Sequence, residues 1–235
     1  MTQAFQYGSK NIAYSVSYSD RKTLGITVTP EMEILVKAPY ATSSEKIKEK
    51  LRKKAPWILK QLSYFLSFEP KTPPRKYVSG ESHLYLGRQY RLKVTMAKRN
   101  EVKYKGRYIE VYLKGKTKSS EKVRELMESW YRMRAKIKFA EIAEPLIQKF
   151  KKYGIEPSNL YIREMPTRWG SCTPKGKIIL NPELIKAPKP CIEYVIVHEL
   201  CHLKHHDHTR KFLELQSKEM PDWEKWKEKL ERTMV

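Results

Sequence analysis

The sequence predicts an α+β protein with a basic, β-rich N-terminal part and a more helical C-terminal part. Short alternating apolar runs fill the first half, and longer helical patterns follow from Glu121. Positive charge is concentrated in the first half: residues 1–120 contain 25 Lys and Arg against 9 Asp and Glu, and residues 121–235 contain 23 against 17. We therefore predict an N-terminal domain over residues 1–118 and a C-terminal domain over residues 119–235.

Composition excludes several classes of protein. An apolar fraction of 40% and an aromatic fraction of 11% are too high for a disordered chain. No run of about 18 apolar residues is present, and the N-terminus lacks the apolar segment of a signal peptide. Three cysteines do not resemble a disulfide framework. We expect a cytoplasmic protein that does not contact membranes.

In the N-terminal part, alternation predicts strands over residues 12–18, 24–29 and 33–38, which we expect to form an antiparallel sheet. Helical spacing of Ile47, Leu51, Ile58 and Leu62 predicts a helix from Ser43-Ser44-Glu45, with Pro56 kinking it or opening a second helix. The other face of this helix is densely basic, with seven Lys and Arg residues: Lys46, Lys48, Lys50, Arg52, Lys53, Lys54 and Lys60.

Prolines 70, 73 and 74 predict a linker or extended crossover over residues 69–75. Four further strands are predicted over residues 83–86, 90–94, 101–104 and 108–113, with the domain boundary near residues 117–120. No internal repeat is visible.

The C-terminal part begins with a predicted helix from Glu121 that Gly154 stops and Pro145 kinks or splits. Predicted strands over residues 160–164 and 177–181 flank the sequence Arg168-Trp169-Gly170-Ser171-Cys172. Further helices are predicted from Pro190 and from near Thr209.

The helix from Pro190 carries the pattern H-E-x-x-H, as His198-Glu199-Leu200-Cys201-His202. Positions four apart lie on one helical face about 6 Å apart, so both imidazoles can bind one metal ion. Glu199 lies about a quarter turn aside, where it can act as general base on an activated water molecule without displacing either histidine. Three imidazole ligands would favour Zn2+.

A catalytic zinc site normally takes three protein ligands, and His208, six residues after His202, is the leading third candidate. Five of the six histidines fall within residues 198–208. Alternatives remain open: another histidine after the helix, a carboxylate on the next helix, or the thiolate of Cys201. The histidines are His205 and His206, and the carboxylates are Glu214 and Glu219.

At these residues the sequence resembles the YgjP-like metallopeptidase family, which carries H-E-L-x-H, then His six residues later, then Ser or Thr and a Phe three residues on. Here the later positions are His208, Thr209 and Phe212, and a second family signature matches Arg168 to Cys172 followed by Leu180-Asn181. The resemblance implies a zincin-like C-terminal domain, distantly similar to SprT-like and WLM proteases, in which a sheet edge pairs with an extended peptide or protein substrate.

The predicted function is therefore a zinc-dependent hydrolase, most simply a metallopeptidase. Arg168 is a candidate contact for substrate or for a developing anion. The net charge of +22 keeps two alternatives open: hydrolysis of a nucleotide phosphoanhydride at the same site, or binding of nucleic acid by the basic N-terminal half with a non-catalytic zinc site.

Overall fold

The computed structural model describes residues 2–8, 10–29, 32–66, 75–115, 119–166 and 168–234. Within these residues the chain forms 11 strands in three sheets and five α-helices, which confirms the α+β prediction. It divides into two compact units, Met1–Pro73 and Pro74–Met234. No helix in the described part of the chain has the length and apolar character needed to span a bilayer.

The first unit is a four-stranded sheet followed by one helix. The strands are β1 (Thr2–Tyr7), β2 (Lys10–Ser19), β3 (Gly25–Val28) and β4 (Ile34–Pro39), in the spatial order β1-β2-β4-β3. Strands β2 and β4 run parallel, so the prediction of an antiparallel sheet is wrong for this pair. The reason is that β3 forms an outer antiparallel hairpin with β4, which returns β4 beside β2 in the same direction.

Helix α1 (Ser44–Leu66) covers one face of this sheet. Its apolar stripe is fully buried against strand residues such as Tyr14 and Val36, and the stripe comprises Ile47, Leu51, Ala55 and Ile58. Pro56 lies within one continuous helix and does not open a second one. Most of the predicted basic residues on the opposite face are exposed, as expected for a half-buried amphipathic helix.

The second unit begins with strands β5 (Ser82–Tyr85), β6 (Arg88–Ala97), β7 (Glu101–Lys105) and β8 (Tyr108–Lys114), in the order β5-β6-β8-β7. Here too the second and fourth strands run parallel, and a helix follows, α2 (Ser120–Phe150). The ββββα module of the first unit is therefore repeated with the same topology.

The two modules also start their helices in the same way. Ser43 and Ser119 each precede the sequence Ser-Glu-Lys, and each hydroxyl accepts a hydrogen bond of 3.4 Å from the backbone N–H three residues later. These are N-cap interactions, which satisfy a backbone donor in the first helical turn. Apart from this short match, the two modules share too few identical residues for the repeat to be visible in the sequence.

Helix α2 runs for 31 residues through Pro145 without splitting. A 3₁₀ turn, Lys151–Tyr153, follows, and Gly154 ends it with φ of 71°, which matches the predicted stop. The helix has apolar residues buried against the second sheet, against a 3₁₀ turn at Pro182–Lys186, and against the next helix.

A small three-stranded sheet and three helices complete the second unit. The strands are β9 (Asn159–Ile162), β10 (Gly170–Cys172) and β11 (Lys177–Leu180), in the order β10-β11-β9. The helices are α3 (Lys189–His202), α4 (Arg210–Glu219) and α5 (Trp223–Met234). Strands β1 and β10 and helix α5 were not predicted from the sequence.

Strands β5 to β8 belong to the same compact unit as the C-terminal helices, whereas the sequence predicted a boundary near residue 118. The turn between β5 and β6 explains the difference. Leu86 and Gly87 donate backbone hydrogen bonds of 2.9 and 3.0 Å to Ile185 and Lys186, just before α3. The division instead coincides with the proline-rich segment at residues 69–75, most of which lies outside the described residues.

Gly87 in the β5–β6 turn lies so close to Pro188 that it leaves no space for a side chain. Its φ is 76°, and an added Cβ would lie 2.8 Å from the Cα of Pro188. We expect Gly87→Ala to destabilise the protein by about 1–3 kcal/mol more than left-handed backbone strain alone would. Gly154→Ala is the matched control, because φ there is 71° and nothing lies within 4 Å of the added Cβ. Thermal unfolding of both variants measures the difference, and equal losses would contradict this packing role.

Candidate metal centre

Three histidine side chains converge where α3 ends. His198 and His202 lie one turn apart on the same face of the helix, and His208 lies in the connection to α4. Nε2 of His198 is 3.1 Å from Nε2 of His202 and 3.2 Å from Nε2 of His208. The candidate ligand atoms of the three residues all lie within 4.8 Å of one another.

The two separations measured from Nε2 of His198 fit a tetrahedral zinc ion. Zinc–nitrogen bonds of about 2.0–2.1 Å at tetrahedral angles place two ligand nitrogens roughly 3.3 Å apart. Three neutral imidazoles with their Nε2 atoms this close cannot satisfy one another by hydrogen bonding alone, because each ring has only one N–H. The donor set and its spacing therefore suit one shared cation.

Hydrogen bonds at the other ring nitrogen orient two of the histidines. Nδ1 of His198 lies 2.9 Å from Oε1 of Gln216, and Nδ1 of His202 lies 3.3 Å from the backbone oxygen of His205. Both partners are acceptors, so each Nδ1 carries the proton and donates it. Each Nε2 is then left with a free lone pair that points toward the shared centre.

Burial also favours the neutral form of these rings. Desolvation lowers the pKa of His198 to about 4, and the neighbouring imidazoles act in the same direction. Desolvation likewise lowers the pKa of His202. Metal binding needs unprotonated imidazole, so the environment prepares both rings for that role at neutral pH.

Helix α4 supplies the packing beneath the three rings. The ring of Phe212 is fully buried, and its centroid lies 5.1, 4.6 and 4.8 Å from those of His198, His202 and His208. Gln216, which is 1% exposed, follows four residues later on the same face of α4. Gln216 was not predicted from the sequence; its spacing from Phe212 within an amphipathic helix was the available signal.

Glu199 is buried beside the histidines, with 5% of its surface exposed. Burial raises its pKa to about 7, although the Arg168 guanidinium and a hydrogen bond from the backbone N–H of Cys172 act in the opposite direction. The carboxyl group is therefore held against strand β10 with a proton affinity far above that of an ordinary glutamate.

Gly170 makes this close approach possible. An added Cβ would lie 2.6 Å from Oε1 of Glu199 and 2.8 Å from Cγ1 of Val195. No side chain fits between β10 and α3 at this point, which gives a physical reason for glycine within the sequence Arg168-Trp169-Gly170-Ser171-Cys172. The backbone of β10 thus packs directly against the side chains of Val195 and Glu199 on α3.

Asn181 holds the chain that leads into β10. Its side-chain amide donates to the backbone oxygens of Met165 and Arg168, at 2.8 and 3.1 Å, and its backbone N–H donates to Trp169. The Asn181 side chain also caps the 3₁₀ turn Pro182–Lys186. The asparagine that follows β11 therefore positions Arg168, whose own side chain remains exposed.

A cavity of about 680 Å³ opens in front of these groups. One wall is formed by residues 168–174 and the other by the face of α3 that carries His198, Glu199 and His202. Strand β10 is the edge strand of its sheet in the described part of the chain, because its only partner there is β11. The cavity thus combines the three histidines, Glu199, Arg168 and a strand edge.

The alternative ligands considered from the sequence lie outside the three-histidine cluster. His206 lines the cavity but is not part of the three-histidine cluster, and His205 contributes its backbone oxygen to His202. Glu214 pairs with Arg210 on the exposed side of α4. Cys201 is fully buried, and desolvation raises the pKa of its thiol to about 12, which disfavours the thiolate form.

Glu219 serves a separate interaction at the end of α4. Burial alone would raise its pKa, but hydrogen bonds from Tyr153, Lys149 and Lys152 outweigh burial and lower the pKa to about 2. The two lysine nitrogens lie 2.9 Å from its carboxylate oxygens. This network ties α4 to the end of α2 and leaves Glu219 without a role at the metal centre.

Comparison with known proteins agrees with the class of enzyme that this site suggests. A family model described as the YgjP-like metallopeptidase domain matches residues 22–233, and the chain belongs to this family. It is therefore a metal-dependent peptidase by family.

Among solved structures, the chain is similar to the crystal structure of the metallopeptidase zymogen of Pyrococcus abyssi abylysin. The identity is 26%, the match covers 39% of this chain and 91% of that chain, and the TM-score is 0.34. No curated protein gives a match.

Proposed function

We propose that the protein is a zinc-dependent peptidase in which His198, His202 and His208 hold the metal and Glu199 is the general base. The observation that carries this proposal is the convergence of three histidine side chains beside a buried carboxyl group, with Nε2 of His198 at tetrahedral spacing from the Nε2 atoms of the other two. A zinc ion bound by these ligands supplies Lewis-acid activation of water and of a carbonyl group.

Glu199 is suited to moving protons. Burial raises the pKa of Glu199 to about 7, and a zinc ion bound beside it would lower this pKa, so the carboxylate form is available at neutral pH to accept a proton. In this proposal Glu199 takes a proton from water and delivers it to the nitrogen of the departing amine. The backbone N–H of Cys172 keeps the carboxyl group oriented during both transfers.

The cavity supports an extended peptide as the substrate. A peptide that runs along β10 can use the free backbone groups of this edge strand for hydrogen bonds, as in other cases of strand addition. Its scissile carbonyl would then lie in the cavity, beside Glu199 and the three histidines. Arg168, at the rim, can contact a backbone oxygen or an acidic group of the substrate.

The first test is Glu199→Gln. This change keeps the size of the side chain but removes the group that accepts the proton, so we expect turnover of a peptide library to fall at least about a thousandfold while bound zinc is retained. Peptide products are measured by mass spectrometry, and zinc by atomic emission.

The same assay includes nucleoside triphosphates, with released phosphate or pyrophosphate as the readout. Zinc-dependent release of phosphate or pyrophosphate from nucleotides, without any peptide cleavage, would show that the protein is a phosphoanhydride hydrolase and not a peptidase. The same histidines and Glu199 would then act on a phosphoryl group. Unchanged turnover in Glu199→Gln would reject Glu199 as the base for either substrate. Glu193→Gln, on the same helix and outside the cavity, is the matched control.

A second test concerns the orientation of His198 by Gln216. Gln216→Leu leaves Nδ1 of a buried imidazole without its acceptor, so we expect zinc affinity to fall by about 10–100-fold. Gln216→Glu, which restores an acceptor, should recover much of the loss. Affinity is measured by competition with a chromophoric chelator.

Glu214→Gln, at an exposed position of the same helix, controls for changes in α4. Equal zinc affinity in the wild type and in Gln216→Leu would show that Gln216 packs against His198 without positioning it for metal binding.

A further inference from the structure

Beyond the metal centre, the second sheet presents an unusual outer face. Residues 75–115 contain 11 Lys and Arg against 3 Glu. Alternate residues of β6 and β8, such as Leu92, Val94 and Val111, are buried in the same core as α2. The intervening residues point to the opposite side of the sheet, away from α2. We call this side, formed by the alternate positions of β5 to β8, the outer face.

An exposed tyrosine lies among cations on this face. In the strand register Arg91 pairs with Tyr108, and Tyr108 pairs with Lys105 on its other side. Directly opposed side chains on neighbouring strands lie about 5 Å apart at Cβ. Arg107 precedes Tyr108 in the β7–β8 turn, and its backbone oxygen accepts from the N–H of Arg91 at 2.8 Å. Arg91 and Lys105 therefore flank Tyr108, whose side chain is 46% exposed, and Arg107 is its neighbour in the turn.

These three cations are not neutralised by acidic groups. Glu101 pairs with Lys103 and Arg99, at 2.9 and 3.3 Å, and Glu110 lies 3.8 Å from Lys93 and accepts from the Tyr112 hydroxyl. Within the part of the chain that the structure describes, Arg91, Lys105 and Arg107 have no carboxylate partner. Their positive charge is left available to a ligand.

A cavity of about 380 Å³ lies at the same place. Its volume falls within the range of about 300–1,000 Å³ that is usual for small-ligand sites. Besides the ring and two of the cations, it offers the hydrogen-bonding side chains of Ser82 and Gln89; its lining is completed by Tyr90. Aromatic surface, hydrogen-bonding groups and unpaired cations are thus combined in one concave site.

Comparison of the two ββββα modules shows that this fold does not require cations and an exposed tyrosine on the outer face of its sheet. In the first sheet, the alternate positions that face away from α1 are mostly small and uncharged; they include Ala13, Ser15, Ser17, Thr27, Leu35 and Lys37. The same ββββα topology thus forms with an outer face that carries little charge. The cations and the tyrosine of the second sheet need an explanation other than folding.

We propose that the outer face of the second sheet binds single-stranded nucleic acid, with a base stacked on Tyr108 and phosphates on Arg91, Lys105 and Arg107. A sheet that presents an aromatic ring between cations matches the alternation of flat bases and phosphates along a single strand. A duplex keeps its bases stacked inside and cannot place one on the ring. An acidic peptide would pair with the cations but would leave the ring unused.

The test is fluorescence anisotropy of the full-length protein with labelled oligouridylate and oligothymidylate of about 15 nucleotides. We expect affinity to fall steeply with salt and to drop at least about fivefold in Tyr108→Ala, whereas Tyr108→Phe should bind like the wild type. Arg91→Ala and Lys105→Ala should each reduce the slope of log K against log salt by about 0.7.

Two matched variants control for loss of a tyrosine or of a charge elsewhere. Tyr18→Ala removes a tyrosine that is 43% exposed in the first sheet, and Lys37→Ala removes an exposed cation from the outer face of that sheet. We expect both to bind like the wild type. Circular dichroism of every variant verifies that it is folded.

Three results would overturn the proposal. The first is no binding of either oligonucleotide at low salt, and the second is an affinity that Tyr108→Ala leaves unchanged. The third is displacement of the oligonucleotide by a polyglutamate peptide of equal length at equal concentration, which would assign the face to acidic polypeptides. Because none of these assays involves the metal centre, their outcome is independent of the proposed peptidase activity.

Discussion

The candidate site of the second unit depends on one geometric relation, which is that three imidazoles lie close together at the end of α3. Two of them, His198 and His202, lie four residues apart on one helix, so helical geometry fixes their spacing. The third comes from a loop, and its position relative to the helix is set by α4, whose Phe212 packs against all three rings. Gln216 on the same helix orients His198. Helix α4 is therefore as important to the site as the helix that carries the motif.

A second set of contacts places the carboxyl group. Gly170 allows the backbone of β10 to pack directly against side chains of α3, and Asn181 fixes the segment that leads into this strand. The turn of the β5–β6 hairpin supports the start of α3 from the other side, through Leu86 and Gly87. The second ββββα module therefore supports the helix that carries His198, Glu199 and His202, and its outer face is left free for the separate role proposed for it.

Local patterns were sufficient to predict much of this. The H-E-x-x-H spacing placed two histidines and Glu199 on one helix, and most strands and helices followed from apolar periodicity and from Gly154 as a stop. His208 was favoured by proximity in sequence, and the structure brings it to the other two histidines. The family resemblance stated from the same residues is confirmed by the match over residues 22–233.

The features that were not predicted depend on contacts between residues far apart in sequence. The parallel pairing of β2 with β4, the repeated topology and the division at Pro73–Pro74 all follow from which strands become neighbours, and periodicity does not encode this. Strand β10 is only three residues long, too short for an alternation signal. The role of Gln216 depends on packing between α4 and α3, 18 residues apart in the chain.

The most direct test of the central claim is the zinc content of the purified wild type beside His208→Ala and His206→Ala. His206 lines the same cavity but lies outside the three-histidine cluster, so it controls for loss of a nearby imidazole. The account predicts about one zinc ion per chain in the wild type and in His206→Ala, and a sharp loss in His208→Ala. Equal zinc content in all three proteins, or no zinc uptake by the wild type, would contradict it.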